Sequence, residues 1–577
     1  MISLENLRHR LASADAVPQL AILGVFAGLS TGIVMLLFRA AVQLPLMALL
    51  PGHDSEAFEA LAPFVRVGLV VGGALILGAW TQRLDPQRQS VGVVHVMERL
   101  NGFQGRMPLG NAIVQFVGGA FALLTGQSGG REGPAIHLGA ASSSLLGQFL
   151  DLPNNSIRTL VACGTAAAIA GSFNTPLAGV IFAMEVIMME YTIASFIPVI
   201  LAAVTSTLLS QAVFGNHTAF VVRGDMQVQS LIEYPLLLLE GLLVGCIAGA
   251  FLAAIERLSR APVTTLRTRI AIAGVATGSV CIFVPEVMGI GYDTVDQALA
   301  GNIALGTLIG IVAAKSFVSA VTYAMRVPVG IIGPTLVIGA CIGAALGKAE
   351  STLAPDLASD AAIYVMVGMG AMMAAVLQAP LAALITVVEL TGTLHSLLPA
   401  MLAIVAATMI VGSLFKQRSV FVSALEARGL DYVPDPIAQQ LHRTAVGGAM
   451  QRSFARLPQV VTHTQAVEAR RAQPRWIVVE DGGGPRYVFP APDLARFLDA
   501  ADGDQPTGRD ATIDLESIPA TRLRAHPIDV RATLYEAWEV LKKPSVEALC
   551  VRRGAADPTL LGVLTREDIA RYVRLDR

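Results

Sequence analysis

One acidic side chain stands among glycines where an apolar run begins. Gly126-Gln-Ser-Gly-Gly-Arg-Glu-Gly-Pro134 leads into Ala135-Ile-His-Leu-Gly-Ala140. Glycines break helices and free backbone N–H groups, and Pro134 suits the first turn of a new helix. A helix start carries unpaired N–H groups and the positive end of the helix dipole, so it attracts an anion. Glu132 at that start is the anion the site holds when no other is present. The chemistry is that of an anion site with its own competitor built in.

The stretch occurs twice. Gly330-Ile-Ile-Gly-Pro-Thr-Leu-Val-Ile-Gly-Ala340 keeps the glycines and proline of Gly130–Ala140 in register. Pro176-Leu-Ala-Gly-Val-Ile-Phe-Ala-Met-Glu185 likewise matches Pro380-Leu-Ala-Ala-Leu-Ile-Thr-Val-Val-Glu389, which gives Glu185 and Glu389 a shared packing or helix-end role. Glycine- and proline-interrupted segments at matching places in two halves point to a binding site at the middle of a membrane.

The elements that must position these residues are membrane helices. Of 577 residues, 54% are hydrophobic and 15% charged, and the mean hydropathy is +0.61. That is the balance of a polytopic membrane protein. A net charge of −2 without long basic runs excludes a nucleic-acid partner. The five scattered cysteines form no CxxC pair, so neither disulfides nor a metal is expected. Apolar segments run at 17–50, 63–81, 109–125, 133–150, 158–171, 176–190 and 195–214, then 233–256, 267–284, 303–325, 330–349, 361–377, 379–391 and 395–415. Several are shorter than the roughly 20 residues of a full span and are expected to enter and stop midway. The Lys/Arg bias puts Arg8, Arg10, the loops 83–88 and 257–269, and Lys416-Gln-Arg418 on the cytoplasmic side. The first half then starts inside and the second outside, an inverted repeat. Membrane halves of about 17–215 and 230–430 make up a first domain, 1–430. A cytoplasmic α/β tail, 440–577, has two similar halves (about 445–500 and 513–577) joined near 500–512. A charge at the bilayer centre costs roughly 2.5–3.5 kcal/mol on insertion scales, so Glu132 is expected to have more to do than brace a turn against Arg131. His137 is expected to be a satisfied core histidine.

These residues resemble the CLC family of chloride channels and proton/chloride exchangers. Gly130-Arg-Glu-Gly-Pro134 matches its GREGP motif, Gly330-Ile-Ile-Gly-Pro334 is similar to GIFAP, and Pro176-Leu-Ala-Gly179 and Gly368-Met-Gly-Ala371 also fit. The tail, ending Gly562-Val-Leu-Thr-Arg-Glu-Asp568, resembles a CBS domain pair. The resemblance implies an all-α polytopic membrane fold with broken and re-entrant helices in an inverted repeat, plus a small CBS-like α/β domain. It further implies a homodimer in the lipid bilayer, here the bacterial inner membrane, with both termini cytoplasmic and an anion pathway in each subunit. Glu132 takes the place of the gating glutamate. The anion position falls to Val91, Gly92, Arg131, Gly133, Ile331, Ile332 and Phe421, with Arg131 more a structural neighbour than a selectivity residue. No cofactor is implied beyond chloride as the transported ion. Adenine nucleotide at Asp493, Thr565 and Asp568 is weakly indicated, because the first CBS-like half offers only Asp493.

Three departures bear on activity. Val91, in Ser90-Val-Gly-Val-Val94, stands where the family has a serine of its GSGIP motif, unless Ser90 serves. Phe421 stands for the pore tyrosine and lacks its hydroxyl. Val186 stands for the inner proton-transfer glutamate of the exchangers, which leans the reading toward a chloride channel. A proton-coupled chloride or fluoride exchanger is the alternative. An enzyme is not expected; Gly126-Gln-Ser-Gly-Gly130 does read G-x-S-x-G, and an intramembrane serine protease using Ser128 and His395 is the remote alternative.

Overall fold

The computed structural model describes residues 4–13, 16–191, 193–216, 220, 227–263, 265–353, 355, 359–430, 436–482, 484–504, 512–554 and 557–575; positions 505–511 of the expected linker lie outside them. The chain divides into two compact units. One comprises Ala21–Phe149 and Ile157–Val433; the other joins Met1–Leu20 and Leu150–Ser156 to Pro434–Arg577.

Up to residue 430 the described elements are helical. The helices are α1 (Leu4–Leu11), α2 (Val17–Leu49), α3 (Pro63–Gln82), α4 (Gly92–Gly102), α5 (Leu109–Leu124), α6 (Glu132–Phe149), α7 (Asn154–Phe173), α8 (Pro176–Phe182) and α9 (Ile193–Phe214). The second half continues with α10 (Tyr234–Ser259), α11 (Leu266–Val280), α12 (Tyr292–Leu299), α13 (Leu305–Ala324), α14 (Ile332–Leu353), α15 (Ala361–Leu377), α16 (Pro380–Thr391), α17 (Leu397–Met409) and α18 (Val420–Glu426). Among the described residues, 8 helices are long and apolar enough to cross a membrane, while α5, α15 and α16 are shorter apolar helices. A π turn, Ala183–Met188, extends α8. Four helices up to residue 430, α1, α4, α12 and α18, fall outside the apolar segments read from the sequence. Each is short and carries charge, so a window averaged over membrane length passes over it.

The halves repeat their packing. Where α6 crosses α7, a Cβ on Gly139 would lie 2.3 Å from the Gly164 carbonyl oxygen; where α14 crosses α15, a Cβ on Gly339 would lie 2.2 Å from that of Gly368. Only glycine permits such close crossings, the usual means of tight helix packing in lipid. The halves also run oppositely. Gly130 and Gly330 form an antiparallel bridge, each donating its N–H to the other's carbonyl at 2.8 and 2.7 Å. Glu185, ending the α8 segment, accepts from the N–H groups of Leu381 and Ala382 at the start of α16. Glu389, near the end of α16, accepts from those of Leu177 and Ala178 at the start of α8. Each carboxylate caps the other half's helix, as the shared helix-end role required.

The second unit carries α19 (Pro436–His442), α20 (Val446–Ala449) and an α/β fold. Its elements are β1 (Phe454–Pro458), β2 (Val460–Thr462), α21 (His463–Arg471), β3 (Trp476–Asp481), β4 (Gly484–Pro490), α22 (Ala491–Asp504), β5 (Thr512–Asp514), β6 (Leu523–Asp529), α23 (Leu534–Leu541), β7 (Ala548–Arg552), β8 (Leu560–Thr565) and α24 (Arg566–Leu575). The main sheet has order β1-β3-β4-β6-β7-β8. Each half has a parallel pair, β1/β3 or β6/β7, then an antiparallel partner, β4 or β8. Capping boxes at Thr462/Gln465 and Thr533/Glu536 start the equivalent helices α21 and α23. This two-fold tail fits the expected pair of similar halves.

The reciprocal caps are testable. Glu389→Gln and Glu185→Gln each weaken two hydrogen bonds to a charged acceptor, which contribute about 1.5–3 kcal/mol apiece. Both variants are expected to melt several degrees lower than the parent in detergent, by similar amounts; a drop for one alone would deny their equivalence.

Candidate anion site

Glu132 opens α6 and is 1% exposed. Its Oε2 accepts the Gly333 N–H at 3.1 Å, and its Oε1 accepts the Tyr292 hydroxyl. The carboxylate therefore sits at the start of its own helix and against the first turn of α14 from the opposite half, the position an anion takes at helix N-termini. Gly130 and Gly333 leave room for it: a Cβ on Gly130 would lie 2.0 Å from Glu132 Oε2, and one on Gly333 3.2 Å from it.

Beside this carboxylate lies a cavity of roughly 360 Å³ lined by Val91, Gly92, Gly133, Ile331, Ile332 and Phe421. The expected site residues thus share one space, with the exception of Arg131. Arg131 faces a different cavity of roughly 270 Å³, together with Arg39, Glu56, Tyr292 and Asp293. Its Nη2 donates to the Ser172 carbonyl at 3.3 Å, and its guanidinium stands 5.4 Å from the Tyr292 ring centroid. The Gly92 N–H is engaged as well, donating to Gln115 Oε1 at 2.8 Å. Gln115 Nε2 in turn donates to the Pro328 carbonyl at 2.9 Å, tying the start of α4 to the loop before α14. Val186 is buried inside the π turn.

Sequence reasoning missed the residues that hold the Glu132 carboxylate. Tyr292 begins α12, flanked by the rings of Phe173 and Phe220 at 6.2 and 5.0 Å. Its own N–H donates to Glu56 Oε2 at 2.6 Å. The preceding loop is pinned by Lys315, whose Nζ donates to the carbonyls of Glu286, Val287 and Gly289 at 3.2–3.3 Å. The same loop pairs with the glycine stretch through Gly289 N to Gly126 O and Gly129 N to Gly289 O. Lys315 and Gln115 were visible as polar residues in apolar segments. Tyr292 and Glu56 gave no local signal.

Other candidates fall elsewhere. Ser128 Oγ pairs with Ser319 Oγ at 3.0 Å, and the residues before it end a helix, whereas a nucleophile elbow needs a strand. His395 is bonded to Thr393 Oγ1. In the tail, both the N–H and hydroxyl of Thr565 donate to Asp568 Oδ2 at 3.0 and 2.8 Å. Asp568 Oδ1 accepts from Gln451, and Asp493 is paired with Arg496 at 2.9 Å. Pro490 occupies in the first half the place of Thr565 in the second, with neither hydroxyl nor N–H.

Burial pushes the Glu56 carboxyl up from 4.5 to about 7, with Asp293 adding like-charge repulsion. The same two causes, with an Asp293 hydrogen bond, push Glu59 up to about 8. Folding raises both above their unfolded value, so the native state binds more protons between pH 4.5 and 8, and stability falls as pH rises through that window. Tm in detergent is expected to decline from pH 5 to pH 8, with a shallower decline in Glu56→Gln; an unchanged slope would remove Glu56 from the cause.

The sequence was compared with known proteins. Residues 73–412 match the family model described as voltage gated chloride channel. The putative chloride channel protein ClcB-like of Ralstonia nicotianae (strain ATCC BAA-1114 / GMI1000) is 30% identical over 352 residues, covering 60% of this chain and 82% of that protein. The voltage-gated ClC-type chloride channel ClcB of Escherichia coli (strain K12) is 30% identical over 349 residues, covering 58% of this chain and 79% of its own length. Among solved structures, a slow cyanobacterial Cl−/H+ antiporter superposes with a TM-score of 0.62 at 22% identity, over 71% of this chain and 97% of that one. A CLC-type fluoride/proton antiporter gives 0.59 at 22% identity, over 71% and 98%. A eukaryotic CLC transporter gives 0.58 at 19% identity, over 98% of both chains, so the likeness in fold extends through the tail. The chain belongs to the CLC, or voltage-gated chloride channel, family.

Proposed function

We propose that this family member carries chloride across the bacterial inner membrane, with Glu132 as the gate. The observation that carries the reading is the seat of its carboxylate, held by the Gly333 amide and the Tyr292 hydroxyl at the junction of the two inverted halves. A carboxylate so placed occupies an anion position, and it leaves when protonated or when a halide displaces it. Val91 and Phe421 remove two hydroxyl donors, each worth about 0.5–1.5 kcal/mol net, so anion binding rests chiefly on backbone amides. A homodimer with cytoplasmic termini completes the proposal. Nucleotide binding in the tail is disfavoured, because Asp568 already has both oxygens engaged.

Val186 removes the family's station for cytoplasmic protons and by itself favours passive conduction. The second reading, proton-coupled exchange of chloride or fluoride, is favoured by a buried histidine pair beside the anion cavity, taken up below. The relatives named as channels and the structures titled antiporters support one reading each.

Reversal potentials across a pH gradient test both. A pH-dependent reversal in the parent that vanishes in Glu132→Gln means exchange; a purely chloride-determined reversal in both means a channel. Absence of chloride flux from liposomes would refute transport. Tyr292→Phe loses a hydrogen bond to a charged group worth about 1.5 kcal/mol or more, so chloride efflux is expected to rise roughly tenfold. Unchanged efflux would show that Tyr292 does not hold the gate.

A further inference from the structure

His137 is not the satisfied core histidine its sequence position suggested. It is fully buried (0% exposed) on α6, and its Nδ1 finds no partner among the described residues. Its Nε2 lies 2.8 Å from His95 Nδ1 on α4, with the rings stacked at 5.1 Å. His95 lines a cavity of roughly 520 Å³ together with Asp85, Arg88, Ser90, Glu98 and Arg99. That cavity is bounded by the loop expected on the cytoplasmic side. Ser90 also borders the anion cavity, as does Gly133. Gly133 and His137 are one helical turn apart on the same face of α6, about 6 Å along its axis. His95 thus opens on the cavity beside the expected cytoplasmic loop, while His137 lies buried behind it, one turn from Gly133 at the edge of the second cavity.

We propose that His95 and His137 form the inner proton station of this protein, in place of the glutamate that Val186 replaces. The inference rests on the anion-transport reading and takes its proton-coupled branch. In the tautomer where His95 carries its proton on Nδ1, the relay balances as follows. His95 Nε2 takes a proton from the cavity it lines and forms an N–H bond. The Nδ1–H bond of His95 breaks as its proton bonds to His137 Nε2. His137 then releases its Nδ1 proton toward the cavity bordered by Gly133, where the Glu132 carboxylate receives it. One proton enters and one leaves, and the starting tautomers return when each ring gives up its Nε2 proton to water and takes one from water on Nδ1.

The surroundings suit passage over storage. Arg99 on the same helix, Arg428 just past α18, and Arg88 across the cavity oppose a resident positive charge on His95. Glu98 and Asp85 offset them in part, Glu98 through its ion pair with Arg428 at 3.2 Å. On α5, which also packs against α6, no residue is charged; α7, which α6 crosses, carries Arg158, whose Nη1 donates to the Leu100 carbonyl of α4. A neutral pair with a short N···N contact transfers a proton without holding one, which a packing pair of apolar residues could not do.

The test uses purified full-length protein in liposomes, recording chloride efflux and uphill proton movement together, for the parent, His137→Gln, His95→Gln and His95→Glu. Proton movement is expected to fall roughly a hundredfold in both Gln variants, the lower range for a positioned proton-transfer group. Chloride efflux persists and shows that each variant folds. His95→Glu, which keeps a titratable group at the cavity, is expected to retain coupling. Three results overturn the proposal: coupling unchanged in both Gln variants, coupling lost equally in His95→Glu and His95→Gln, or chloride efflux in the parent with no proton movement. That last result leaves anion transport standing, whereas no chloride efflux in the parent refutes the transport reading itself.

Discussion

Two amides and two carbonyls, exchanged between Gly130 and Gly330, hold the site together. A helix broken inside the membrane strands N–H and C=O groups where no lipid can satisfy them, at a cost of several kcal/mol each. Here the break in one half supplies the partners for the break in the other. Neither half could make its interrupted helix alone. Contact this close also excludes side chains: a Cβ on Gly330 would lie 2.5 Å from the Gly133 nitrogen, and one on Gly133 2.6 Å from the Gly330 Cα. The glycines therefore serve approach between backbones, and the result is that the starts of α6 and α14 converge on one point. The amide of Gly333 and the carboxylate of Glu132 meet there as a consequence.

Around that point the polar side chains tie one half to the other. Gln115 reaches the carbonyl before α14, and Ser128 reaches Ser319 on α13. Lys315 holds the loop that presents Tyr292. All of these groups are buried, and Gln115 and Lys315 are bonded to backbone, so moving either would orphan several partners at once. Glu132 differs. Two hydrogen bonds hold it, one from an amide and one from a hydroxyl, and an incoming anion could accept both in its place. A gate needs this contrast between a rigid frame and a side chain whose bonds a ligand can replace.

The repeat, the acidic residue at a helix start and a shared packing or helix-end role for Glu185 and Glu389 were legible in the sequence because they are patterns of residue type at matched spacing. The carboxylate's second partner was not, since Tyr292 lies 160 residues from Glu132 in the chain and belongs to a helix too short and too polar to stand out. Arg131 shows a different limit. It neighbours Glu132 in the chain, yet successive positions at a helix start point in different directions, about 100° apart, and its side chain faces the other cavity. His137 was visible as a histidine on an apolar helix. Its partner His95, on α4, was hidden with the helix that carries it.

The substitutions at Val91 and Phe421 alter the lining without removing the means of binding an anion. Backbone amides at the start of α14 are fixed by the Gly130–Gly330 bridge, so they persist whatever side chains surround them. Charge at the mouths then separates anions from cations. Arg269, Arg326 and Arg428 border the cavity that Phe421 lines, with Glu98 as a partial counterweight to Arg428. Arg39 and Arg131 border the cavity beside Tyr292, where Glu56 and Asp293 oppose them. Such fields raise the local anion concentration without specifying which anion enters. The valines, isoleucines and Phe421 make only part of that lining, because Ser90, Ser259 and Tyr323 share the cavity and bring hydroxyls to it. An anion shedding water in such a space would meet hydroxyls as well as amides, and the cost of dehydration they would have to offset is largest for the smallest halide.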